Sequence, residues 1–123
     1  VFQKIRKMND LVWGIKNGDS DQVKEAILTK GINVNQKFDG RPLLVFAADY
    51  GHADILEFLL SRGASIDEKD KHGITALLAA IWEGHTACVK LLLEKGASRT
   101  GTTPDGTSYF DAAEKDEIKA LLK

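Results

Sequence analysis

A 33-residue period runs through the chain and limits how it can fold more than any other feature. Gly51-His52 and Gly84-His85 stand 33 residues apart, and each pair opens a near-copy of the same segment. A further step of 33 residues back reaches Gly18. Because a fixed period of this length is typical of stacked helical repeats, it predicts an elongated stack of helix pairs. The groove along such a stack is suited to holding another macromolecule.

Each repeat unit combines a polar finger, a short inner helix, a Gly-His turn and a longer outer helix. In the third unit we expect the finger at 70–73, the inner helix at about 75–83 and the outer helix at about 86–95. Gly63 and Gly96 follow outer helices, where a residue with left-handed backbone commonly ends a helix. These features together predict an all-α fold, the ankyrin-repeat solenoid.

Two complete central repeats are flanked by an incomplete first repeat, which lacks a finger, and a truncated last repeat, which starts at Asp105-Gly106. We predict one domain over 8–123, with repeats at about 8–38, 39–69, 70–104 and 105–123. Residues 1–7 have no counterpart in the period, so we expect a disordered or non-native extension. The first outer helix carries one extra residue, which we expect near 24–26.

The net charge and the cysteine content of the chain limit which partners it can bind and whether it can form disulfides. The chain has 17 basic and 18 acidic residues, a net charge of -1, so no bulk field favours nucleic acid or an anionic membrane. A lone cysteine, Cys88, excludes an internal disulfide and suits a reducing compartment.

A catalytic pair is conceivable on the third outer helix, because His85 and Cys88 are three residues apart. However, His85 has a twin in His52, and Cys88 takes the place of Ile55, a core position. The histidines and the cysteine also lack zinc-ligand spacing, and no phosphate loop or nucleophile elbow is present. We therefore predict a binding module, with no catalytic residues, no cofactor and no metal site.

The side chains that the repeat leaves free to vary are candidates for binding. They lie in the fingers and at the two positions before each turn glycine, and we expect them to face the concave side. Aromatic side chains beside carboxylates favour a partner with basic and apolar side chains. The alternative is that Trp13 caps the end of the stack and that the acids are merely solvated. The predicted partner-binding residues are Trp13, Asp39, Asp49, Tyr50, Trp82 and Glu83.

Several segments resemble the myotrophin family of small ankyrin-repeat proteins. The similarity spans about residues 8–123, and its most specific part is the shortened last repeat. The segments that carry it are Trp13-Gly-Ile-Lys-Asn-Gly-Asp, Ala47-Ala-Asp-Tyr-Gly, Asp54-Ile-Leu-Glu-Phe-Leu-Leu, Asp70-Lys-His-Gly-Ile-Thr and Ile118-Lys-Ala-Leu-Leu.

The resemblance implies a monomeric cytoplasmic protein, with the nucleus as a second compartment, that binds the heterodimeric actin-capping protein. It also implies that the groove covers the basic region of capping protein that otherwise engages the filament barbed end. Rival interpretations are an ankyrin-type inhibitor of cyclin-dependent kinases, which lacks the shortened last repeat, and transcription-factor binding. In the second unit, Leu43-Leu44-Val45 replaces the family's Pro-Leu-His, so the hydrogen bonds that usually tie this helix start are expected to be missing.

Overall fold

Helices pair along the whole chain in the computed structural model, which describes residues 2–123 and, of the side chains, those from residue 6 onward. Residues 2–123 form eight helices and one two-stranded hairpin. In chain order these are α1 (Phe2–Asn17), α2 (Ser20–Leu28), β1 (Lys37–Phe38), β2 (Arg41–Pro42), α3 (Leu43–Asp49), α4 (Ala53–Ser61), α5 (Ala76–Glu83), α6 (Thr86–Glu94), α7 (Tyr109–Ala112) and α8 (Asp116–Leu122).

The helices form two layers. The inner layer contains α1, α3, α5 and α7, and the outer layer contains α2, α4, α6 and α8, each helix packing on the next one in its own layer. Every inner helix also packs on the outer helix that follows it in the chain. This nearest-neighbour packing is the architecture of a repeat solenoid, and it confirms the predicted fold.

The core lies between the two layers and repeats from unit to unit. Leu59 of α4 and Leu92 of α6 occupy equivalent positions and are both fully buried, as the period predicts. The alanine pairs 47–48 and 79–80 are buried where α3 packs on α5, since small side chains let neighbouring inner helices approach closely.

The inner helices begin in two different ways. The Thr75 hydroxyl accepts a hydrogen bond from the Leu78 amide at 3.2 Å and caps the start of α5. Pro42 stands at the same position before α3, and it makes no side-chain hydrogen bond there. The predicted loss of this bond in the second unit is therefore confirmed. The burial of its side chains stabilises α3 in place of a cap, because all residues from Leu43 to Ala48 are buried.

The second finger is a short β-hairpin, a detail that the repeat pattern did not reveal. Phe38 pairs with Arg41, and the two residues between them, Asp39 and Gly40, have φ of 52° and 74°. Two successive residues of positive φ form the tight turn that Asp-Gly sequences favour, because its twist matches that of the flanking strands. This hairpin fixes the position of Arg41, two residues before the start of α3.

Two features differ from expectation. Residues 1–7 were expected to be a disordered or non-native extension. Residue 1 lies outside the described residues, and residues 2–7 are not disordered but helical, continuing α1, which begins at Phe2. Extending a helix already fixed by packing costs little, and Gln, Lys and Arg are good helix formers. The extra residue in the first unit lies after α2 and not near 24–26, because α2, α4 and α6 all have 9 residues. The Ile32 amide bonds back to the carbonyl of Ala26, whereas the equivalent Ala64 amide bonds to that of Leu59, one residue closer.

The last unit is shortened as predicted. Its inner helix α7 has only 4 residues, and α8 follows after three residues without a Gly-His turn. Exposed polar residues of α8 cover this end of the stack, as a terminal repeat requires. Between residues 2 and 123, no helix is both long enough and apolar enough to cross a membrane.

We predict that Leu92→Ala lowers the free energy of unfolding by about 2–5 kcal/mol, because it leaves a cavity between the two helix layers. Urea denaturation of the wild-type and variant proteins measures this loss. The control is Leu28→Ala on α2, where the leucine is 55% exposed and truncation should change stability little. A loss below about 1 kcal/mol for Leu92→Ala would contradict the burial that the structure shows.

Candidate protein-binding face

Large aromatic side chains lie exposed along the inner layer. Trp13 of α1 is 56% exposed, Tyr50 at the end of α3 is 43% exposed and Trp82 of α5 is 46% exposed. We call the solvent side of α1, α3 and α5, together with the 37–42 hairpin, the inner face. Exposed aromatic side chains on a rigid support are typical anchors of protein–protein interfaces.

A row of side chains ties each unit to the one before it and so fixes the spacing of the inner face. His52 Nε2 lies 3.0 Å from the Lys16 carbonyl oxygen, and His85 Nε2 lies 3.0 Å from that of Asp49. Because a carbonyl oxygen can only accept, each Nε2 carries the proton and donates. In the last unit Lys115 takes this role, and its Nζ donates to the Gly84 carbonyl at 2.7 Å. These carbonyls lie at the ends of inner helices, where no amide within the helix reaches them.

The turn glycines make room for these ties. Gly51 has φ of 77°, and a Cβ added there would lie 2.6 Å from His85 Nδ1. A Cβ added at Gly18 would lie 2.9 Å from His52 Cε1. The prediction that both histidines are structural is confirmed, since each one joins two adjacent units.

Two of the three predicted acidic positions already have a basic neighbour within the chain. Asp49 Oδ2 lies 3.7 Å from a guanidinium nitrogen of Arg41. At the tip of the hairpin, Asp39 Oδ1 lies 3.6 Å from Lys71 Nζ of the next finger. Glu83 is exposed and forms no salt bridge with any side chain of the described part of the chain.

Cations from two units meet on the second inner helix, and sequence reasoning missed this. The guanidinium carbon of Arg41 lies 4.4 Å from the centre of the Phe46 ring, and Lys16 Nζ lies 5.6 Å from it. Lys16 Nζ also lies 5.9 Å from the centre of the Tyr50 ring. Lys16 stands two residues before its turn glycine, the position that Asp49 fills in the next unit, so the same rule could have identified it.

The predicted site residues thus do not form one cluster. Asp49 and Tyr50 are joined through Lys16, Arg41 and Phe46, while Trp82 and Glu83 lie one unit further along, on α5. One exposed aromatic side chain of the last unit was not among the predicted site residues. Phe110 of α7 is 36% exposed, and its ring lies 4.7 Å from Lys119 Nζ of α8.

Comparisons with known proteins agree with this architecture. A family model described as ankyrin repeats, in three copies, matches residues 11–102. Myotrophin of Xenopus tropicalis is 52% identical over 114 residues, a span that covers 92% of this chain and 96% of that protein. The chain belongs to the myotrophin family. The ankyrin repeat and SAM domain-containing protein 6 of Mus musculus is 32% identical over 86% of this chain, which corresponds to 12% of that much longer protein.

The inhibitor of Bruton tyrosine kinase of Homo sapiens is 31% identical over 87% of this chain and 8% of its own length. Such matches are confined to a small part of each long protein, whereas the myotrophin match extends over nearly the whole of both chains. The similarity to myotrophin therefore covers the terminal units as well as the central repeats. Membership of this family marks the chain as a protein-interaction module.

The environment of Cys88 opposes the thiolate form that a nucleophile requires. The side chain is fully buried in α6, and this desolvation, with a smaller effect of the Asp54 charge, raises the pKa of the thiol from 9.0 to about 11. Reactive cysteines instead have a lowered pKa and are partly exposed. Within the described residues, no group of three or more His, Cys, Asp or Glu side chains is placed to hold a metal ion.

We predict that His85→Ala lowers the free energy of unfolding by about 1–3 kcal/mol, because the Asp49 carbonyl loses its donor and is left partly buried. Chemical denaturation measures the effect. The matched control is His72→Ala at the exposed tip of the third finger, which should change stability by less than about 0.5 kcal/mol. Equal losses for the two variants would show that the tie between units contributes nothing.

The raised pKa of Cys88 predicts a loss of stability in alkali. Between pH 9.0 and about 11 the unfolded chain releases the thiol proton while the folded protein keeps it, so the free energy of unfolding falls as the pH rises. Urea denaturation of the wild-type protein and of Cys88→Ala across this range measures the difference in slope. The variant should lack the thiol's share of the decrease, and identical slopes would contradict the prediction.

Proposed function

We propose that the chain is a non-catalytic cytoplasmic module that sequesters the heterodimeric actin-capping protein and so prevents capping of filament barbed ends. The observation that carries this proposal is the row of exposed aromatic side chains on the inner face, next to carboxylates. Membership of the myotrophin family supports the choice of partner.

The inner face offers two kinds of contact to a basic partner. Trp13, Tyr50 and Trp82 present flat apolar surfaces on which the aliphatic stems of lysine and arginine side chains can pack. Glu83, adjacent to Trp82 and exposed, offers a carboxylate to the charged ends of those side chains. A carboxylate beside an aromatic anchor selects for a basic partner, because an acidic partner would bring like charges together.

The face is already ordered before binding, and this favours affinity. The ties from His52, His85 and Lys115 hold successive inner helices at a fixed spacing, so little conformational entropy of the backbone is lost on association. Most of the binding energy in such an interface comes from a few aromatic and charged residues. On this basis Trp82 and Glu83 are the first residues to test.

The test is an actin barbed-end elongation assay in the presence of capping protein. The wild-type protein should restore elongation, and Trp82→Ala/Glu83→Lys should bind capping protein at least about thirtyfold more weakly, the effect of losing a hot spot. The matched control is Leu28→Ala/Glu94→Lys, which also truncates one exposed apolar side chain and reverses one charge, but in the outer layer. This control should restore elongation as well as the wild type does.

Equal activity of the two double variants, both folded, would rule out the inner face as the inhibitory surface. Failure of the wild-type protein to bind capping protein would overturn the proposed function itself. Affinity capture from a cell extract then separates the rivals, since a cyclin-dependent kinase or a transcription factor would be recovered in place of capping protein.

A further inference from the structure

The Arg41 side chain is held against Asp49 by two neighbours. Its guanidinium lies on the Phe46 ring, 4.4 Å from the ring centre, and one of its nitrogens is 3.7 Å from Asp49 Oδ2. The Phe46 ring is buried, and the hairpin pairing of Arg41 with Phe38 fixes the backbone from which the side chain extends. Both members of the ion pair are partly shielded from water, at 28% and 30% exposure.

We propose that Arg41 competes within the chain for the site at Asp49 that a basic side chain of the partner would occupy. A guanidinium stacked on an aromatic ring and directed at a carboxylate is the arrangement expected for a bound arginine of another protein. The inference rests on the proposed function to the extent that the partner is basic. On this proposal Arg41 weakens the binding of the partner. A partner must then carry enough positive charge at this site to displace Arg41.

The surrounding charges strengthen this competition. Lys16 Nζ approaches the same Phe46 ring and the Tyr50 ring from the first unit, so a second cation of the chain lies beside the ring that carries Arg41. An incoming basic side chain that packs on the Phe46 ring must therefore displace Arg41 and approach Lys16 as well. Removing the charge of Arg41 frees the Asp49 carboxylate for the ligand, so binding of a basic ligand becomes tighter.

The tip of the 37–42 hairpin contains a second ion pair, which serves as a control because its removal is not expected to tighten binding. Asp39 and Lys71 also form an ion pair, at 3.6 Å, but their side chains are 79% and 51% exposed. Solvent and salt screen such a pair, so its removal changes the local field little. Arg41→Met and Lys71→Met alter the net charge of the protein equally, and a difference between them reports the local competition at Asp49.

The experiment measures the dissociation constants of capping protein and of a hexa-arginine peptide for four variants. They are Arg41→Met, Lys71→Met, Asp49→Asn and Arg41→Met/Asp49→Asn, with the wild type as reference. Methionine keeps an unbranched side chain over Phe46, and thermal denaturation checks that each variant is folded. Arg41→Met should bind both ligands about fivefold more tightly, the upper range measured for a single surface ion pair, and Lys71→Met should differ from the wild type by less than about twofold. In the Asp49→Asn background, Arg41→Met should give no tightening.

Weaker binding by Arg41→Met, equal tightening by Lys71→Met, or tightening that persists without the Asp49 carboxylate would each overturn the inference. It is also overturned if neither ligand binds Arg41→Met, since the freed carboxylate should then accept a cation. Where only the peptide binds and follows the expected pattern, the proposed function fails while the role of Arg41 stands. Where only capping protein binds, its pattern across the variants decides the inference.

Discussion

The bond from the start of α4, α6 and α8 to the end of the inner helix in the preceding unit is the interaction on which the rest of the structure depends. It satisfies a helix-terminal carbonyl that would otherwise lack a donor, and it sets the distance between units. His52 and His85 make this bond in the central repeats, and Lys115 makes it in the last one. The turn glycines follow from the same requirement, because a side chain at Gly51 would collide with the His85 ring. The 33-residue period of the sequence thus reflects one contact that is repeated from unit to unit.

Most of the fold could be predicted from the sequence, because a repeat forces equivalent residues into equivalent environments. The burial of Leu92 followed from that of its counterpart Leu59, and the structural role of His85 followed from His52. The features that could not be predicted are those for which the period supplies no counterpart. The start of α1 at Phe2 and the turn after α2 depend on how far a helix continues once packing has fixed it, and no repeated residue marks that limit.

The repeat pattern was enough to choose candidate binding residues, but their pairing within the chain could not be predicted from it. Reading the positions before each turn glycine located Asp49, Tyr50 and Trp82 on the inner face, yet it treated the acidic residues as free. The pairing of Asp49 with Arg41 arises because a β-hairpin directs Arg41 back onto α3, and the formation of that hairpin depends on the local turn at Asp39-Gly40. Whether a charged side chain at a variable position of a repeat is free to bind a partner can therefore be judged only from the structure.

The packing of each unit on its immediate neighbours also shapes how the chain reaches its folded state. The ties made by His52 and His85 each close a loop of 36 residues, so the contacts between units have one uniform and modest sequence separation. Chains with mostly local contacts fold quickly, since little loop entropy is lost before each contact forms. The α3–α6 block holds the two complete repeats and has a neighbouring unit on each side, so we expect it to form first. From there order would spread outward to α1 and α8, the two ends that have a neighbour on one side only.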